Sequence, residues 1–142
     1  MTYKRKNILP FFDKTEVKYM LTCIKKHSFT QFKKYEYLEH LKCKNDGFIH
    51  GDLFKDNAVF YGKKIGVFDF IDGGNGNFLF DCAVALFGFD VQKSQKLKKE
   101  IFRKSYNQKT IRKIDTKSLD TFFQYAKDYY EMKRFFRKIL LK

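Results

Sequence analysis

Apolar positions recur at three- and four-residue steps from Thr15 to Lys26 and again from Phe29 to Lys42, which predicts two amphipathic helices. Asn45-Asp46-Gly47 closes the second of them. The pattern then changes. Ala58-Val59-Phe60 and Ile65-Gly66-Val67-Phe68 are short apolar runs on either side of Tyr61-Gly62-Lys63-Lys64, the signature of a β-hairpin. Asp81 stands ahead of the apolar run Cys82 to Phe89, which predicts a buried helix with Asp81 as its N-cap. Ser94 to Tyr106 and Leu119 to Leu141 predict two further helices, joined by the polar stretch from Asn107 to Ser118. Within the last helix, Phe122, Tyr125, Tyr129, Met132, Phe136 and Ile139 form a core-facing stripe, which leaves the cations of Lys133 to Lys138 on the solvated face.

Composition narrows the class. A chain of 142 residues that is 44% hydrophobic and 19% aromatic can bury a core, so disorder is excluded and one domain is expected. No apolar run approaches a membrane span, and Ile8-Leu9-Pro10-Phe11-Phe12, stopped by Asp13 after the basic opening, is too short for a secretory leader; a cytoplasmic protein is expected. Cys23, Cys43 and Cys82 are odd in number and far apart, which argues for reduced thiols. Cys23 with His27 and His40 with Cys43 have helical spacing, but neither has the second pair a zinc site needs. A net charge of +14 attracts ATP, nucleic acid and anionic membranes alike, so by itself it specifies none of them.

The chemistry concentrates in Phe48-Ile49-His50-Gly51-Asp52-Leu53-Phe54-Lys55-Asp56-Asn57 and in Asp69 after the hairpin. A turn centred on Gly62-Lys63 sets Asn57 opposite Phe68, so Asn57 and Asp69 emerge together at the open end of the hairpin. An amide oxygen and a carboxylate there suit Mg²⁺, which completes its octahedron with water and nucleotide phosphates. Asp52, on the loop entering the hairpin, is free to act as a base. Such a set suits phosphoryl transfer from ATP, where positioning and charge neutralisation carry most of the catalysis.

The His-Gly-Asp, the Asn five residues after its Asp and the Val67-Phe68-Asp69-Phe70 segment resemble the protein-kinase-like small-molecule phosphotransferases: aminoglycoside phosphotransferases, choline kinases and the kinase-like homoserine kinases. The wording Asp52-Leu53-Phe54 with Asp56-Asn57 and Phe60 is most similar to the homoserine kinase type, and Phe78 to Leu86 is similar to the family's aromatic-Asp-Leu-Ala helix start. The resemblance implies an α+β fold, a mostly helical large lobe with an inserted catalytic hairpin. Residues 1–47 would be a helical lead-in, 48–81 the catalytic loop, hairpin and metal-binding segment, and 82–142 a helical remainder. It also implies Asp52 as catalytic base, Asn57 and Asp69 as magnesium ligands, Asp81 as an acid bracing the catalytic loop, ATP as co-substrate and a small alcohol, homoserine first, as acceptor. The family's small β-rich lobe has no counterpart in residues 1–47, which carry no strand-turn-strand opening. A separate chain or a second copy would have to supply that wall of the ATP cleft.

Several residues have plainer readings. His50 is expected to brace the loop by packing, Gly51 to permit an unusual backbone angle, Asp56 to sit in a turn, and Asp72 to be a second contact or merely solvated. Gly73-Gly74-Asn75-Gly76 does not run from a strand into a helix with a phosphate-loop lysine, so it is expected to be a flexible active-site loop. Two other functions compete with a kinase: an inactive lobe that keeps the motif, and a basic surface for nucleic acid or membrane, supported only by the charge. Binding that falls steeply with salt and ignores Asp69→Asn would mark the last.

Overall fold

The computed structural model describes residues 8–9 and 12–141. Met1 to Asn7 and Pro10-Phe11, on which the expected lack of a leader partly rests, lie outside the described residues. The elements are β1 (Ile8–Leu9), β2 (Phe12–Asp13), α1 (Lys14–His27), α2 (Phe29–Tyr35), β3 (Gly47–Ile49), β4 (Ala58–Tyr61), β5 (Lys64–Val67), β6 (Gly74–Gly76), α3 (Phe78–Gly88), α4 (Lys96–Lys109) and α5 (Thr116–Leu140). No helix among the described residues is long and apolar enough to cross a membrane.

α1 forms because Val17, Met20, Leu21 and Ile24 share one face, all of them at most 2% exposed. Glu16 in its first turn and Lys25, Lys26 and His27 in its last complement the helix dipole. Ser28 then starts α2, its hydroxyl accepting from the Gln31 backbone N–H at 3.2 Å. The second predicted helix is shorter than expected. After Tyr35 the chain tightens into a 3₁₀ turn over Glu36–His40, which drops Leu38 into the core. The lead-in also holds an antiparallel pair, Ile8 against Asp13 and Leu9 against Phe12, where no strand opening was expected.

α3 is the central helix. Phe80, Ala83 and Val84 pack with α1, Leu38 and the α5 residues Ala126, Tyr129 and Met132. On the other side Cys82 and Leu86 pack with Leu119 and Phe123 of α5. Burial on both sides explains the nearly continuous apolar sequence of α3, and each fully buried large side chain contributes about 1.5–3 kcal/mol. The cap of α3 corrects the sequence reading. Asn77, not Asp81, is the N-cap, its side-chain oxygen accepting from Phe80 N–H at 2.9 Å. Phe78-Leu79-Phe80 are already helical, so the helix begins a turn early and Asp81 is released for another task.

Among the described residues the three sheets are two-stranded and antiparallel. β4 and β5 pair Ala58 with Val67 and Tyr61 with Lys64, leaving Gly62-Lys63 as the turn, and Phe68 N–H donates to the Asn57 carbonyl at 3.0 Å. That is the register the apolar runs imply. The glycine segment is different: Gly74–Gly76 is β6, paired with β3 as Gly47 to Gly76, Phe48 to Asn75 and Ile49 to Gly74. It is a strand instead of a flexible loop, because its backbone groups close the ladder that β3 offers.

Candidate active site

The loop that carries Asp52 runs from β3 into β4, and α3 holds it from beneath. Asp81, one turn into α3, accepts from two consecutive backbone donors, His50 N–H at 3.1 Å and Gly51 N–H at 2.9 Å. Gly51 has φ of 83°, and a Cβ there would lie 2.7 Å from the Asp72 carbonyl oxygen, so only glycine fits. His50 is buried, with its ring against Phe70. Its Nε2 lies 2.9 Å from the Phe68 carbonyl, and its Nδ1 accepts from Asp52 N–H at 3.1 Å. These partners assign the neutral tautomer with the proton on Nε2. One side chain thus ties the start of the catalytic loop to the end of the hairpin.

Asp52 is the next link. Asn57 Nδ2 donates to the Asp52 carbonyl at 2.9 Å, which directs Asn57 Oδ1 away from the loop. The Asp52 carboxylate faces α5, where the Tyr130 hydroxyl lies 3.2 Å from Oδ1 and 3.4 Å from the Gly51 carbonyl. Tyr130 is wedged between Phe54, edge-on at 4.9 Å, and Phe87, stacked at 5.6 Å. Partial burial raises the Asp52 pKa above the ordinary carboxylate range; the Tyr130 hydrogen bond opposes the rise, nearby Asp72 adds to it, and Lys133 and His50 oppose it. Burial likewise raises the Tyr130 pKa, so its hydroxyl stays a donor.

Asp69 follows β5 in the left-handed region, φ 60°, a conformation rare for a residue with a side chain and one that turns its carboxylate away from the strand. Its Oδ1 accepts a long contact from Ile71 N–H at 3.4 Å, and it makes no ion pair with a described cation. Asp52, Asn57, Asp69 and Asp72 all line one cavity of about 760 Å³. His50, Gly51 and Asp81 lie behind that wall and hold it in shape. Among the described residues no three His, Cys, Asp or Glu side chains converge as a metal cluster. Asn57 with Asp69 is an oxygen-only, incomplete set. It fits a hard cation that keeps water and phosphate ligands, and it does not fit zinc or a redox metal.

The opposite wall is α5, and here the sequence reading needs correction. Lys127, Tyr130, Lys133, Arg134 and Arg137 line the cavity, so the cations assigned to a solvated face belong in part to the site. The steps of three and four residues between them were visible in the sequence, but two stripes share this helix and only the apolar one was recognised. Cys82 is buried, with a thiol pushed up to about 12, while Cys43 is half-buried and raised to about 11. Both are unsuited to nucleophilic chemistry.

Comparison with curated proteins and with solved structures finds no match to this chain. A family model described as the phosphotransferase enzyme family matches residues 27–112, from the end of α1 through the catalytic loop, hairpin, α3 and α4. That span is more than half of the chain and contains Asp52, Asn57, Asp69 and Asp81, and the chain therefore belongs to the phosphotransferase enzyme family.

Proposed function

We propose that the chain transfers the γ-phosphoryl group of ATP to the hydroxyl of a small alcohol, and that homoserine is the first acceptor to try. The observation that carries this reading is the rigid unit of Asp52 and Asn57, in which the candidate base holds the candidate metal ligand through its own carbonyl at 2.9 Å. In this reading the fold is the large lobe of a protein-kinase-like enzyme, a helical body that presents one catalytic hairpin.

Asp52 takes the acceptor proton. Its carboxylate is half-buried beside the Tyr130 hydroxyl, and its raised pKa makes it a better base than a solvated aspartate. The acceptor oxygen bonds to the γ-phosphorus as the bond to the β,γ-bridging oxygen breaks, and ADP leaves. Asn57 Oδ1 and the Asp69 carboxylate would hold Mg²⁺, which would neutralise phosphate charge. Tyr130 fixes the Asp52 rotamer, and His50, Gly51 and Asp81 keep the loop from shifting. Sub-ångström order of this kind is what phosphoryl transfer asks of a protein.

Calorimetry of the chain with Mg²⁺ and ATP tests the nucleotide half. Saturable binding is expected, weakened by about tenfold or more in Asp69→Asn, as for the loss of one charge-assisted contact of about 1.5 kcal/mol. Absence of binding at millimolar ATP would mean a lobe that needs a partner to complete its nucleotide site, or an inactive remnant.

The hairpin face supports the proposal of a covering partner, a small lobe on a separate chain or a second copy. Phe60 is 64% exposed, Ile71 82%, and Phe48, Ile65 and Phe70 add to the same exposed apolar inventory around the site. Sedimentation at rising concentration is expected to show association that Phe60→Lys with Ile71→Lys abolishes. A wild-type chain that stays monomeric throughout would rule out the second copy. ATP and a small alcohol as substrates suit a cytoplasmic location, and this is part of the same proposal.

A further inference from the structure

The acceptor side of the cavity is positively charged. Tyr130, Lys133, Arg134 and Arg137 are spaced i, i+3, i+4 and i+7 on α5, so they form one stripe, and that stripe lines the cavity. Tyr130 touches the Asp52 carboxylate, which places the stripe next to the base. Helical side chains lean towards the N-terminus, so the three cations lean back towards Tyr130 and Asp52. Lys133 does so visibly, its Nζ lying 5.2 Å from the Tyr129 ring centre and 5.8 Å from that of Tyr130. Arg134 lies 5.8 Å from the ring centre of Phe87, on the cavity floor.

Lys133 interacts with the Asp52 carboxylate only at longer range, and none of the three cations has a carboxylate in close contact among the described residues. Lys127 has Glu131 at 3.9 Å and Lys55 has Asp90, whereas Lys133, Arg134 and Arg137 make no ion pair with a described carboxylate. Three like charges lining one wall of a cavity repel one another, and an anion bound between them relieves that repulsion. The carboxylates of Asp52, Asp69 and Asp72 on the facing wall would repel the same anion. The two walls together therefore orient a ligand, its negative group towards α5 and its neutral hydroxyl towards Asp52. Along α5, Arg134 is about 6 Å beyond Tyr130 and Arg137 about 10.5 Å, distances that long cationic side chains leaning towards the N-terminus shorten to the scale of a small molecule beside Asp52.

We infer that the acceptor is a small alcohol bearing an anionic group, a carboxylate or a phosphate, which Lys133, Arg134 and Arg137 bind while its hydroxyl faces Asp52. This rests on the phosphotransferase reading of Asp52 but is tested without turnover. Glycerol, glycerate and glycerol 3-phosphate are alcohols of increasing negative charge, and their binding to the full chain can be compared by calorimetry or ligand-observed NMR at low and high salt. Affinity is expected to rise by tenfold or more from glycerol to the better of the two anions, and the ranking of glycerate against glycerol 3-phosphate tells carboxylate from phosphate.

Lys133→Gln with Arg134→Gln and Arg137→Gln is expected to erase that preference while leaving Mg²⁺-dependent ATP binding intact. Lys98→Gln with Lys109→Gln and Lys138→Gln removes equal charge from exposed positions away from the cavity and is expected to keep the preference. Equal affinity for the three alcohols overturns the inference, as does a preference that survives the cavity variant or is lost equally in the surface variant. Loss of ATP binding in the cavity variant would assign the cations to the nucleotide and overturn it too. Failure of the wild-type chain to bind ATP is a separate result, and it bears on whether this chain alone completes the nucleotide site, not on anion recognition.

Discussion

Asp52→Asn is expected to lower turnover by about 10²- to 10⁴-fold while leaving Mg²⁺-dependent ATP binding unchanged, because it removes a proton acceptor and little else. The amide is nearly isosteric, its oxygen can still accept from Tyr130, and the backbone carbonyl that anchors Asn57 is untouched. A companion variant reads the same group through pH. Burial raises the Asp52 pKa and the Tyr130 hydrogen bond opposes that rise, so Tyr130→Phe takes away a lowering influence. The base must be deprotonated to work, and the acid limb of the kcat profile is therefore expected to move to higher pH in Tyr130→Phe and to disappear in Asp52→Asn. An acid limb that stays in place in both variants would remove Asp52 from the role of base.

The second large effect is at Asp81, which never meets the cavity. Asp81→Asn replaces two charge-assisted acceptors with one neutral acceptor and an amino group, and that amino group must face either His50 N–H or Gly51 N–H. Hydrogen bonds to charged groups contribute about 1.5–3 kcal/mol each, so a loss of about 2–3 kcal/mol of unfolding free energy is expected, read from a lower urea midpoint at unchanged slope. Activity should fall further than stability, measured where both proteins are fully folded, since the same two bonds set the position of Asp52. Hydrogen exchange locates the damage. The amides of His50 and Gly51 should exchange faster in the variant while those of α1 keep their protection. Unchanged exchange at His50 and Gly51 would mean that α3 does not hold the loop.

Asp81 also illustrates what local pattern hides. An aspartate before an apolar run is a reasonable N-cap, and the local pattern favours that reading although the family resemblance implies a loop-bracing acid. The helix starts at Phe78 because this places Phe80 in the core beside α1 and α5, with Leu79 partly buried against the second cluster, and Asn77 then takes the cap. The glycine segment was misread for a related reason. Nothing within Gly73-Gly74-Asn75-Gly76 indicates a strand, since its pairing partner, Phe48 with its neighbours, is remote in the chain.

The amino-acid sequence by itself determined the hairpin and its register, α1, α3, α4 and α5 to within a few residues, the start of α2 but not its end, and the grouping of Asp52, Asn57 and Asp69 along one cavity. Those features depend on periodicity and turn chemistry acting over a few residues, which a linear pattern records. Tertiary structure alone decided that β6 closes on β3, that Tyr130 meets Asp52, and that the cations of α5 face the carboxylates across one cavity, and it supplied the two backbone bonds by which Asp81, a bracing acid by the family resemblance, holds His50 and Gly51. Each of these joins residues about 30 or more positions apart, apart from the β3–β6 pair with its somewhat shorter span. Such contacts form only when burial of α3 against α1 and α5 has fixed where every element lies, because packing and not local preference selects the neighbours.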